Sequence, residues 1–456
     1  MQHTRSCSMW YMHAMKRISF ASQSDSFRSG ATSPVDLLEE SLQLIDEREG
    51  ELNAFVHLAR DAAREDAKAS TERWRTGRTL SPIDGIVVGI KDIIETADMP
   101  TGQGSPLWTG FQSQRDSATV QALRDAGAVI LGKTTTTEFA ATELLAKTVN
   151  PHDPRRTPGG SSSGSAAAVG AGILPLALGS QVVGSTVRPA SYCGCVGFKP
   201  TTGALNRGGS YDNLSQSCVG LIGGTIEDVW LASKAIATRV GGDPGHVGLQ
   251  GPDALPDAKA PRQMLLLETN GWKRATPGAK AAFAAELNRL GALGVEIVKR
   301  STYPKLDAFE GAIQDALDVT WQIISWESRW PIGAYARRNA DAVSANMLRR
   351  YQDALGMTQA GYAAALAKRA DVRAAYEDLL ASFECVVTLG ATGAAPVGFE
   401  TTGNPGFNVP ASLLGVPAMS LPLLTDEGMP LGLQIMARQG RDADLFAVAR
   451  WLVDKR

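Results

Sequence analysis

No uninterrupted apolar run in this sequence approaches the roughly 20 residues that a bilayer-spanning helix requires, so a helical membrane protein is not expected. A surplus of one charge is also missing. Forty-five Lys and Arg stand against 47 Asp and Glu, a formal net charge of -2, and no global field draws the chain to nucleic acid or an anionic membrane. Cysteine is sparse and irregular: Cys7, Cys193, Cys195, Cys218 and Cys385. An odd count without framework spacing argues against a secreted disulfide scaffold. Cys193 and Cys195 have no companion pair at zinc-site spacing and read as buried thiols. The five histidines, His3, His13, His57, His152 and His246, are scattered and form no metal-binding pattern. No internal repeat and no heptad pattern is found. The opening MQHTRSCSMWYMHAMKRISF has no continuous apolar core of a signal peptide, so residues 1–25 read as a poorly ordered extension and the cytoplasm is the expected compartment.

What is present is ordinary globular material. The 456 residues are 44% hydrophobic and 20% charged, ample for a large core. Ser33-Pro34 reads as a helix start, with Val35, Leu38, Leu42 and Ile45 recurring at helical spacing. GIVVGI, Gly85 to Ile90, reads as a buried strand that ends at Lys91. A helix over Ala118 to Ala126, stopped by Gly127, precedes a strand in AVILG. Strand, helix, strand in this order points to an α/β architecture. Ser165 to Gly172 reads as helix and ILPLALG as a strand approaching Ser180. Pro252 to Pro261 turns polar and proline-rich, as a surface loop does. MLLLE and VEIV flank an amphipathic helix over Lys280 to Leu293, residues 306 to 382 are mostly helical, and CVVTLG, AMSLPL and GLQIMA return to strand.

PGGSSSGSA, Pro158 to Ala166, concentrates four serines and three glycines beside a core-like stretch. A phosphate loop needs a lysine after its second glycine, and no lysine occurs between Lys147 and Lys199. Gly160 to Gly164 matches the G-x-S-x-G nucleophile elbow around Ser162, but only one histidine, His246, follows it in the chain. A third reading joins the loop to Ser185 in GSQVVGSTVRPAS and to Lys91. A serine hydroxyl is a weak nucleophile and needs a base. An exposed lysine, with pKa about 10.4, is protonated at neutral pH; desolvation favours its neutral amine. Each residue alone reads better as a solvated charge, a turn former or a helix cap; the joint arrangement is what carries chemistry.

These segments together resemble the amidase signature family. The resemblance runs through PGGSSSGSAAAVGAGILPLALGSQVVGSTVRPASYCGCVGFKPT and extends to SGATSPVDLLEESL, LNAFV, GKTTTTEFA, GTIEDVW, FNVPASLLGVPAMSLPLL and GMPLGLQIMAR, with a weaker match between about 240 and 385. It implies one large α/β domain over residues 26–456, a mixed, twisted central β-sheet enclosed by α-helices. It implies Ser185 as nucleophile, Ser161 as bridging serine after a cis Gly160–Ser161 peptide, and Lys91 as terminal base. The oxyanion donors become the backbone N–H groups of Val182, Val183 and Gly184. Ser162 is expected to hydrogen-bond Lys91, and Thr135, Thr136 and Thr137 to sit beside the acyl side of the pocket. No metal or organic cofactor is implied. The expected partners are a small-molecule amide and water, with no nucleic acid or membrane, in a monomer or homodimer. Aryl amides, carbamates or urethanes are conceivable substrates. One component of a tRNA-dependent amidotransferase complex is the competing activity, although no motif near the C-terminus marks a partner-binding domain. A catalytically silent binding protein is the alternative of another class.

The chain departs from the family pattern at three points. Gln181 stands where an acid is common, GKTTTTEFA has threonines where asparagine and an apolar residue are frequent, and Val183 stands where glycine is usual. A positive φ is costly for a β-branched residue, so a reshaped oxyanion turn is expected there. Trp321, Trp326 and Trp330 mark a variable region that can cover the pocket with aromatic surface.

Overall fold

The short β-branched and leucine-rich runs become strands of a single sheet in the computed structural model, which describes residues 18–141 and 147–456. In chain order these are β1 (Phe55–Leu58), β2 (Val87–Lys91), β3 (Val129–Thr134), β4 (Leu176–Gln181), β5 (Val196–Lys199), β6 (Cys218–Gly223), β7 (Gln263–Leu266), β8 (Glu296–Val298), β9 (Cys385–Leu389), β10 (Ala418–Asp426) and β11 (Met429–Met436). Their order across the sheet is β1-β3-β2-β4-β6-β5-β10-β11-β9-β7-β8. Pairing is mixed. β2 runs parallel to β3 and β4, and β7 parallel to β8 and β9, while the middle of the sheet from β4 to β9 is antiparallel. Strands β2, β3, β4, β5, β6 and β9 are buried along their whole length, as strands covered by helices on both faces must be.

Helices pack around this sheet, and their ends follow local chemistry. The helix Pro34–Leu52 starts where Ser33 accepts from the Asp36 N–H and Pro34 fills the first turn. It buries Leu38, Leu42 and Ile45. The polar segment from Pro252 to Pro261 carries no helix or strand. One hydrophobic core runs from Phe20 to Leu452. A second packs the helices Pro304–Ala312, Ala316–Asn339 and Gln359–Leu379 against the β7–β9 side. Among the described residues, no helix is long and apolar enough to cross a membrane.

Of the segment 1–25 expected to be poorly ordered, residues 1–17, with Cys7, lie outside the described residues. Phe20 is buried, and the Asp228 carboxylate accepts from the N–H groups of Phe20 and Ala21 at 2.9 and 2.8 Å. The other four cysteines are buried thiols.

Two features of the fold position the site. Parallel pairing of β2 with β4, Ile90 opposite Leu178, brings the carboxyl ends of both strands together, the place where α/β sheets present their chemistry. The serine-rich loop then threads through contacts with no room for side chains. A Cβ on Gly164 would lie 2.1 Å from the Ala54 carbonyl, and one on Gly179 would lie 2.8 Å from Ser162 Oγ.

Candidate active site

Lys91 closes β2 and is fully buried. Its Nζ lies 2.7 Å from Ser161 Oγ and 2.9 Å from Ser180 Oγ. Burial lowers its pKa to about 7, against an opposing pull from the Asp212 carboxylate. The amine is therefore poised to exchange a proton near neutrality, which a solvated lysine is not. Ser161 follows a cis Gly160–Ser161 peptide and opens onto the helix Ser163–Gly170.

Ser162 does not take the place expected for it. Its hydroxyl lies 3.2 Å from the Ser180 N–H, which donates to it, and 3.3 Å from the Ser180 carbonyl. The second hydroxyl on Lys91 is that of Ser180. The reason is the run of β4: Ser180 sits near its end, and Ser162 fastens that end from behind. The sequence does signal a strand approaching Ser180, but it does not signal which strand lies beside β2. The Ser162-centred elbow finds no support either, because Ser162 is fully buried against β4 and His246 is exposed, packed against Gly203.

Ser185 lies in the turn between β4 and the helix Val187–Cys193, almost buried at 5% exposure. Its carbonyl accepts from the Ser162 N–H at 3.3 Å, which ties the turn to the serine-rich loop. The N–H groups of Val182, Val183 and Gly184 meet no acceptor among the described residues. Val183 keeps a negative φ, so the β-branched residue needs no left-handed backbone here. Gln181, which the sequence presents only as a lost charge, braces the turn. Its Oε1 accepts from the N–H groups of Thr186 and Val187 at 3.0 and 3.1 Å, and its Nε2 donates to Ser412 Oγ at 3.1 Å. The Ser412 hydroxyl in turn donates to the Val183 carbonyl at 3.0 Å. Arg188, fully buried, donates to the carbonyl of Gly160 at 2.9 Å and that of Thr402 at 2.7 Å. Burial pulls this guanidinium down to about 10.

Ser185, Val182 and Val183 open onto a cavity of about 240 Å³. Its far wall is the helix Ala316–Asn339, through Leu317, Trp321, Ile324, Pro331, Ile332 and Tyr335. Phe139 stacks on Tyr335 at 4.6 Å, and the Arg350 guanidinium sits over Trp321 at 4.6 Å. Trp321 therefore lines the cavity. Trp326 stacks on Tyr362 at 5.3 Å instead, and Trp330 is exposed. The threonines expected in the pocket are not among its lining residues. Thr135 bonds the Thr148 hydroxyl, Thr137 donates to the Ala141 carbonyl, and Thr135, Thr136 and Thr137 are all buried behind the wall. The lining comes from the next residues, Phe139 to Ala141. A six-residue strand, β3, ends at Thr134, and the chain then turns inward before reaching the cavity.

The family model for Amidase matches residues 36–446. A glutamyl-tRNA(Gln) amidotransferase subunit from Chloroflexus aggregans is 32% identical over 468 aligned positions, covering 92% of each chain. Its counterpart from Rhodopirellula baltica is 33% identical over 456, covering 90% of each. Among solved structures, a crystal structure of an amidase has a TM-score of 0.82 at 26% identity, covering 96% of this chain and all of the other. A chain of an inhibitor-bound vestigial protein complex, described for the evolutionary origins of an s-triazine catabolic enzyme, has a TM-score of 0.83 at 27% identity, covering 96% and 98%. A buried lysine at a strand end against a serine-rich loop, a mixed sheet wrapped in helices, and a family match over most of the chain lead to one conclusion: this chain belongs to the amidase signature family.

Proposed function

We propose that this amidase hydrolyses carboxylic amide C–N bonds through an acyl-enzyme on Ser185. The observation that carries this reading is the buried Lys91 amine, in contact with Ser161 and held near neutral pKa. The neutral amine takes the Ser161 proton as Ser161 takes that of Ser185, and Ser185 Oγ attacks the amide carbon. The oxygen that becomes negative is received by the N–H groups of Val182, Val183 and Gly184, whose open donors stand beside the nucleophile. The proton returns along the same path to the leaving nitrogen, which departs as amine. Water then attacks the acyl-enzyme by the reverse relay and releases the acid. Among the described residues Ser161 Oγ bonds Lys91 and not the Ser185 hydroxyl; the relay requires that second contact to form with substrate bound, as catalytic hydrogen bonds tighten in the complex.

The apolar and aromatic cavity wall supports an amide with a hydrophobic or aryl group, and a carbamate or urethane fits the same wall. The amidotransferase relatives favour a second reading, a component that releases ammonia for a tRNA-dependent complex. A fluorophosphonate probe should label Ser185, and labelling should vanish in Ser185→Ala. Activity of the isolated chain on a panel of anilides, primary amides, carbamates and esters supports the first reading. Turnover appearing only with copurifying partner proteins and glutamine supports the second. Absence of any labelling would sink both and leave a silent binding protein.

A further inference from the structure

The cavity beside Ser185 has one carboxylate among its described lining residues, Asp212. The residue is 8% exposed. One oxygen, Oδ1, is held by the Ser217 hydroxyl, and the backbone N–H of Asp212 donates to Ser210 Oγ at 3.4 Å. The other oxygen, Oδ2, is buried and has no hydrogen-bond partner. The Lys91 amine, which feels this carboxylate, bonds Ser161 and Ser180 instead, and no other neighbouring donor bonds Oδ2. The Tyr211 hydroxyl donates to Glu95 at 3.0 Å, and Arg350 lies over Trp321. Arg188 donates through Nε and Nη2 to Gly160 and Thr402, and its other terminal nitrogen, Nη1, is itself buried without a hydrogen-bond partner. An unsatisfied buried carboxylate oxygen is costly, at about 1–3 kcal/mol or more, and calls for a partner such as water, an ion or a ligand group. The same cavity is lined by the apolar side chains of Leu214, Leu317, Ile324 and Met347.

We propose that Asp212 selects the substrate by accepting an N–H donor carried at a second position, away from the scissile amide. This rests on the amidase reading above and narrows its substrate class. Preferred amides combine an aryl or alkyl body, matched to the hydrophobic wall, with a protonated amine or an amide N–H that pairs with Oδ2. A plain hydrocarbon group of the same size leaves the oxygen unpaired and is disfavoured. Discrimination of this kind is strong because the missing partner leaves a buried polar atom of the protein unsatisfied.

Equilibrium binding by calorimetry, in a Ser185→Ala background that cannot turn ligand over, tests the assignment. The ligands are 4-(aminomethyl)benzamide, its isostere 4-ethylbenzamide, and benzene-1,4-dicarboxamide, whose second N–H donor is neutral. At least one donor ligand should bind about 10-fold or more tighter than 4-ethylbenzamide. Adding Asp212→Asn, which keeps an oxygen for Ser217 but presents an amide N–H where the acceptor was, should collapse that preference. Asp212→Leu should do the same. Equal binding of all three ligands, a preference that survives both substitutions, or no binding by any of them overturns the proposal. Hydrolysis of 4-ethylbenzamide by the unmodified enzyme, run in parallel, reports on the amidase reading alone.

Discussion

At the scale of single residues, the ionisation of Lys91 decides most. Its amine in the folded protein titrates near 7, against 10.5 for a free side chain, because burial disfavours the cation. In the proposed relay the neutral amine is the working form, so kcat/KM should rise with pH through about 7 and level off above it. Linkage fixes the sign for stability. Between about 7 and 10.5 the unfolded chain holds the proton that the folded chain has released, so this lysine makes the fold more stable as pH climbs through that window. Lys91→Met should lose at least ~1,000-fold in kcat/KM, in keeping with removal of a relay group. Its thermal midpoint relative to the parent should be most favourable near pH 6 and decline toward pH 10; a difference independent of pH would contradict the assignment. The pairing of Lys91 with Ser161 was legible only through the joint run of motifs that resembles the amidase signature family, since neither residue stands out alone. Asp212 was not. Its significance lies in an oxygen without a partner, and a missing hydrogen bond leaves no trace in the order of residues.

At the scale of elements, the turn from β4 into the helix Val187–Cys193 depends on one amide side chain. Gln181→Leu would strand the N–H groups of Thr186 and Val187, each worth roughly 1–3 kcal/mol when buried, and remove one donor to Ser412. We expect a lower thermal midpoint and a kcat reduced more than KM is raised. Gln181→Glu, which retains the acceptor, should restore most of the kcat lost in Gln181→Leu; equal damage by both would show that the acceptor is unimportant. The cavity wall makes a separate forecast. Trp321→Ala removes an aromatic from the helix Ala316–Asn339 and should shift preference toward bulkier amides, read as the ratio of kcat/KM for a large and a small anilide. The strand–helix–strand start, the Ser33 cap and the helical stretch from 306 to 382 were all readable from periodicity and caps. Which strand lies beside which was not, and the misplacement of Ser162 and of Thr135 to Thr137 follows from that. Their partners are set by sheet neighbours and by contacts such as Arg188 with Thr402, 214 positions apart.

At the scale of the whole molecule, the sheet is one continuous surface and the main core reaches from Phe20 to Leu452. Near- and far-ultraviolet circular dichroism should therefore report coincident melting; separated transitions would reveal independent halves. The Asp228 clamp on Phe20 and Ala21 fastens the first described residues onto the far side of this core. Asp228→Ala should speed proteolysis near residue 20 with little effect on kcat. The α/β class was visible in the sequence, but the eleven-strand order was not, because nothing local records that β10 and β11 fill the gap between β5 and β9. That insertion has a consequence for biosynthesis. A ribosome must deliver residues 418–436 before the two flanks can join, so a nascent chain carries two open edges until then. Stalled or prematurely stopped translation products should be prime clients for chaperones and proteases, and a stop codon at 416 should yield insoluble material, not a smaller enzyme.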